Sequence, residues 1–143
     1  MKKIFIVCAL LLNTTNSFAD DWFKINETDE SRFYINIPSI SETNYYGKKV
    51  VKAWIKDLIY NDLTKDGLSV GDYTMTLSYS NCDDKMVGIK SQTQYKSGKV
   101  FGNQINNSYV TMKDVIPNTI GESILAYSCE GLRLKNSPKD SEQ

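Results

Sequence analysis

Tyr73-Thr74-Met75-Thr76-Leu77-Ser78-Tyr79-Ser80-Asn81-Cys82 is the stretch on which the fold turns. Large apolar and small polar residues alternate through it. Tyr73, Met75, Leu77 and Tyr79 fall on one face of an extended chain, and Thr74, Thr76, Ser78 and Ser80 on the other. A period of two marks a half-buried antiparallel strand, and the apolar face is expected on a core. Asn81-Cys82-Asp83-Asp84 then turns the chain. Residues 86–95 follow as the next strand, with Val87, Ile89, Thr93 and Tyr95 on one face. Lys96-Ser97-Gly98-Lys99 reads as a hairpin turn, and Val100-Phe101-Gly102 starts another strand. Residues 103–108 read as a polar loop and 109–112 as a last short strand.

Upstream, residues 22–26 and 32–37 are aromatic and branched, with a polar turn between them, and read as a strand pair. Pro38 closes the pair, because proline cannot donate to a ladder. Residues 41–48 read as a polar loop carrying Tyr45 and Tyr46, with a turn at Gly47. In residues 49–58, Val51, Ala53 and Ile55 form the cleaner core face, opposite Val50, Lys52, Trp54 and Lys56. A helix competes here, but the β-branched content favours a strand. Residues 61–72 are a loop rich in Asp, Gly and Ser. Asp62, Thr64, Asp66 and Gly67 imitate a calcium loop, yet Tyr73 stands where that loop needs a carboxylate, and no flanking helices are evident. A solvated turn accounts for these residues, and no metal site is expected.

Downstream the period changes. Thr119 and Glu122 have the spacing of a capping box. Ile120, Ile124, Tyr127 and Ser128 lie near one helical stripe, with Leu125 beside it. A helix is expected over 119–130, with Cys129 in its last turn and Gly131 as its stop. Residues 132–143 read as a polar, disordered tail. The fold class is therefore α+β: an antiparallel sheet of five or six strands packed against a C-terminal helix.

The first residues speak to location. Lys2 and Lys3, an apolar run at 4–12, a polar patch at 13–16 and Ser17-Phe18-Ala19 have the order of a secretory signal peptide over 1–19. The apolar run is too short to span a bilayer. The exported domain is then residues 20–131. Removing Lys2 and Lys3 from 17 basic and 17 acidic residues leaves an excess of two acids, no footprint for nucleic acid or an anionic membrane. Histidine is absent, which excludes Ser-His-Asp and Cys-His catalysis and every histidine-ligated metal site. Asp57, Asp62, Asp66 and Asp72 gather about one loop, where glycosidic chemistry would need a flanking pair of acids. A solvated loop face explains them better, so no enzyme and no cofactor is expected. Of three cysteines, Cys8 lies within the signal segment, too early for lipid attachment. Cys82 and Cys129 allow one disulfide in an oxidising compartment; free buried thiols are the alternative.

With these elements in order, the chain resembles the surface-adhesin protein E family of Gram-negative bacteria. The early Trp22, the strand Phe33-Tyr34-Ile35-Asn36, the strand Val50-Val51-Lys52-Ala53-Trp54 and a strand ending in Cys82 carry the resemblance. So do Tyr95, Val115-Ile116-Pro117 and a helix closing on Cys129. The resemblance implies an antiparallel sheet on a C-terminal helix, with the cysteine pair structural. It also implies a non-enzymatic adhesin that binds a protein partner such as a host extracellular-matrix or serum protein. The named adhesin resembles a lipid-anchored protein, whereas this chain has no acylation cysteine. Recognition is expected on the sheet face that the helix leaves free or on the loops 44–48 and 61–72, with the exposed aromatics Tyr45, Tyr46 and Tyr60 as candidate partner-binding residues, since aromatics are enriched at interfaces; packing on strand ends is the bland alternative. A soluble periplasmic inhibitor or envelope-stress protein is the competing function, so the location is periplasm or cell surface. Intact-mass analysis of the exported protein should give an N-terminus at Asp20; a mass that retains Cys8 or an acyl chain overturns the export reading.

Overall fold

The computed structural model describes residues 21–138. The chain runs through β1 (Trp22–Glu27), β2 (Ser31–Asn36), a short 3-10 turn (Ile37–Ser39), β3 (Ser41–Tyr45) and β4 (Lys48–Ile59). It continues through β5 (Tyr73–Asn81), β6 (Met86–Lys96), β7 (Lys99–Asn106), β8 (Lys113–Asp114) and α1 (Ile120–Asn136). All pairings are antiparallel, in the order β1-β2-β4-β5-β6-β7, with β3 also on β4 and β8 also on β6.

Among the described residues the sheet has eight strands rather than five or six. One addition is β3, inside the expected loop at 41–48. Ser41-Glu42-Thr43-Asn44 has little strand character of its own, but Thr43 pairs Val50 and Asn44 pairs Lys49 on the long β4. The short strand expected at 109–112 is displaced to β8, which pairs Met86 and Val87 of β6. In addition, β7 runs on to Asn106 through the expected polar loop.

β4 is the spine. One half pairs β3 and the other pairs β2, so the chain from β2 to β3 is a single edge interrupted by the turn at Pro38. The interruption takes a ladder partner from Trp54. Its backbone N–H donates instead to Ser39 Oγ at 2.9 Å. Ser39 is held in turn by Asn36, whose side chain accepts from the Ser39 N–H and whose carbonyl accepts from its hydroxyl.

Val51, Ala53 and Ile55 are buried together with Ile25, Ile35 and Ile40, and Phe33, Ile124 and Leu132 pack against them. Full burial of an aliphatic side chain contributes roughly 1.5–3 kcal/mol, so these six dominate the core. The expected core face of β4 is thus the observed one. β5 is the reverse of expectation. Its register places Ser80 opposite Val51, Ser78 opposite Ala53 and Thr76 opposite Ile55. Directly paired residues share a face, so the small hydroxyl residues turn toward the helix side. Ser78 and Ser80 are buried, at 4% and 0% exposure. Tyr73, Met75 and Leu77 stand on the opposite face with Trp54 and Lys56.

α1 begins where the capping box predicted. Thr119 Oγ1 accepts from the Glu122 N–H at 3.4 Å, and the Glu122 carboxylate accepts from the Asn118 N–H at 2.8 Å. The helix does not stop at Gly131, however, and the expected tail is helical to Asn136. Gly131 is a packing residue: a Cβ there would lie 2.5 Å from Ile40 Cδ1. The absent side chain lets the helix settle on the buried Ile40, and Lys135 Nζ then donates to the carbonyls of Pro38 and Ile40. Residues 1–20 and 139–143, and with them the signal peptide and the rest of the tail, lie outside the described residues.

Cys82 and Cys129 are disulfide-bonded with Cα atoms 5.9 Å apart, joining the turn after β5 to α1. Closing 47 residues of chain stabilises by about 4 kcal/mol in the chain-entropy account. Replacing both cysteines by alanine should lower unfolding free energy by a few kcal/mol in denaturant titration. A double variant with the wild-type midpoint would show that the bond contributes nothing.

Candidate functional site

Two surfaces carry chemistry: the sheet face turned away from α1, and a groove on the face turned toward it. The outer face is aromatic. Trp22 from β1, Tyr34 from β2, Trp54 and Lys56 from β4, Tyr73, Met75 and Leu77 from β5 and Tyr95 from β6 are all half-buried there. Strand register builds it, because Trp54 pairs Leu77, Lys56 pairs Tyr34 and Met75, and Tyr73 pairs Tyr95. The Tyr73 and Tyr95 rings stack with centroids 4.8 Å apart and an interplanar angle of 14°. Lys56 Nζ lies 4.3 Å from the Trp22 ring centroid and 5.6 Å from that of Tyr73. Its stem covers apolar surface while its charge sits on ring faces, an arrangement that keeps a large apolar face soluble. A shallow depression between Trp22, Trp54, Met75 and Tyr95 interrupts the face.

The tyrosines expected at the interface divide. Tyr46 is 76% exposed, at a turn where its φ is 47°, and it meets the 63% exposed Tyr109 with centroids 5.4 Å apart. Tyr45 works inward. Its hydroxyl accepts from the Val110 N–H at 2.5 Å and donates to the Val110 carbonyl at 3.3 Å. That clamp fixes residues 107–112 beside β6, where Gly88 leaves room: a Cβ there would lie 2.5 Å from Val110 Cγ1. Tyr60 also holds its neighbours, with its hydroxyl donating to the Thr28 carbonyl at 2.6 Å and Arg32 stacked on its ring at 4.4 Å.

The acids about the 61–72 loop mostly cap backbone. The Asp72 carboxylate accepts from the Ser97 and Ser69 N–H groups, which hold it below the usual carboxylate range. Asp66 accepts from the Leu68 N–H, and Glu30 accepts from Leu63 and Thr64. Asp57 is different and does not belong to the loop. It lies within β4, between Phe33 of β2 and Thr74 of β5, on the helix side. There it lines a groove of about 490 Å³ between α1, residues 107–113 and the small-residue stretch of β5. Asp57 Oδ1 is shut from solvent and has no hydrogen-bond partner among the described residues. Burial pushes its carboxyl above the ordinary range; a nearby Ser31 hydroxyl opposes this, and the charges of Glu30 and Asp66 add to it.

The described architecture is an antiparallel sheet with a helix stapled to one face and an aromatic surface on the other. The chain belongs to the surface-adhesin protein E family, whose model matches residues 22–130. No curated protein and no solved structure matches it. Family membership points to an adhesin-like protein of the exported or surface class. No helix among the described residues is long and apolar enough to cross a membrane.

The free sheet face is expected from the sequence but its aromatic make-up is not, because alternation in β5 assigns its large residues to the core. The parity of Trp54 and Lys56 on β4 was the available signal. Sequence reading missed Asp57 by grouping it with the loop acids. An acid whose folded-state pKa is raised favours folding fully below its unfolded value near 3.8, and that contribution is lost as pH rises through the folded value. Asp57→Asn should therefore melt higher than wild type near neutral pH, and the gap should close toward about pH 4 and below. Paired thermal melts across that range decide it; a variant less stable at neutral pH overturns the assignment.

Proposed function

We propose that this chain is a non-enzymatic, adhesin-like protein that recognises another protein, such as a host extracellular-matrix or serum protein, through its outer sheet face. The observation that carries the reading is the juxtaposition of Trp22, Trp54 and the stacked Tyr73–Tyr95 pair around Lys56 on a broad surface that α1 leaves uncovered. Apolar patches of this kind mark interaction sites, and tryptophan, tyrosine and cationic residues dominate binding energy where they become desolvated. A wide, shallow surface suits a protein better than a small molecule, which needs a concave site. Tyr46 and Tyr109 form a second exposed aromatic pair and extend the surface, while Tyr45 and Tyr60 hold the segments that bear it.

The test is a binding screen of the disulfide-bonded protein against immobilised matrix and serum proteins. Trp54→Ala and Lys56→Glu should each weaken the strongest interaction by about thirtyfold or more, the scale of a hot-spot residue. Tyr46→Ala should have a smaller effect, and circular dichroism should confirm that each variant is folded. Wild-type affinity in the folded Trp54 and Lys56 variants, or no saturable binding at all, overturns the proposal.

A further inference from the structure

The groove on the helix side is built unlike a core defect. Phe33, Val87 and Ile124 line it with apolar side chains, the sheet floor carries Ile55 beside Thr74, Thr76 and Ser78, and Lys113 lines it from the 107–113 segment. The floor is ordered: Gln92 Nε2 donates to Thr76 Oγ1 at 3.0 Å. Asp57 supplies a carboxylate, and no ion pair reaches it among the described residues. A buried carboxylate oxygen without a donor costs stability, and the same charge becomes an asset when a cation is brought to it. The volume, about 490 Å³, is that of a ligand site. A groove that sets apolar side chains beside an unpaired acid matches one chemistry well: an aliphatic stem ending in an ammonium or guanidinium group.

We propose that this groove receives a lysine or arginine side chain of a polypeptide partner, with the stem between Phe33 and Ile124 and the cationic head against Asp57. The proposal rests on the reading of the chain as a protein-binding module. It assigns that module a second, charge-selective site on the face opposite the aromatic one.

The probes are capped tripeptides, acetyl-Gly-Lys-Gly-amide and acetyl-Gly-Arg-Gly-amide, with norleucine and glutamate as central-residue controls. Each is titrated into the 15N-labelled, disulfide-bonded protein. Saturable amide shifts should centre on Thr74, Thr76 and Gln92 for the lysine or arginine peptide, and the norleucine and glutamate peptides should give none there. Asp57→Asn, which should fold at least as well as wild type, should weaken binding about tenfold or more, the scale of a lost charge-assisted contact. Thr76→Leu, which fills the floor, should abolish the shifts. Equal binding of the norleucine peptide, wild-type affinity in Asp57→Asn, or no saturation by either basic peptide overturns the proposal. Trp54→Ala separates the two sites. If it removes protein binding and leaves the peptide shifts intact, both readings stand. If it leaves protein binding intact while the shifts depend on Asp57, only the outer-face reading falls.

Discussion

The register between β4 and β5 is the constraint on which the rest depends. Once Val51, Ala53 and Ile55 commit one face of β4 to the core, pairing with Ser80, Ser78 and Thr76 decides what β5 offers to each side. Small hydroxyl residues go beneath the helix, and large aromatic and apolar residues go outside. A slip of one residue would exchange the two sets completely. The protein would then hold a thicker core and no groove, and the outer face would lose Tyr73, Met75 and Leu77. Both candidate surfaces therefore follow from one hydrogen-bond register rather than from separate inventions.

The price of that arrangement is paid inside. Ser80 and Ser128 are fully buried, and their hydroxyls find no partner among the described residues. Buried hydroxyls of this kind cost stability that apolar residues of similar size would not. The disulfide offsets the loss, and it does so close by, since Cys82 and Cys129 follow Ser80 and Ser128 in sequence within two residues and one residue. A core that is thin under β5 and covalently tied at its end can leave space for a groove without losing the helix.

Legibility in the sequence tracked how local the determining physics is. The β4 faces, the Thr119–Glu122 cap and the hairpin at Ser97-Gly98 depend on neighbours a few residues away, and they were readable. The cysteine pair was readable by elimination. The orientation of β5 was not, because alternation separates two faces without naming the one that meets the helix, and here lysine and ring stacking solvate the apolar one. β3 was unreadable because its strand character is lent by β4. Gly131 misled for a related reason: glycine ends helices through its backbone freedom, but here its missing side chain admits Ile40. Asp57 was visible as an acid and invisible as a buried one, since burial is set by Phe33 and Thr74 on two other strands.

The Cys82–Cys129 bond also divides the chain mechanically. It encloses β6, β7, β8 and most of α1 within a covalent ring. Tension applied between the two ends of the domain would run through β1 to β5, cross the bond, and leave through the last turns of the helix. The 47-residue span inside the ring could not pay out, which removes about 160 Å of extensible contour. β4, which carries the bound edges of β2, β3 and β5, lies on the loaded segment. Force across the domain would load that spine while the β6–β7 half of the sheet stayed out of the force path.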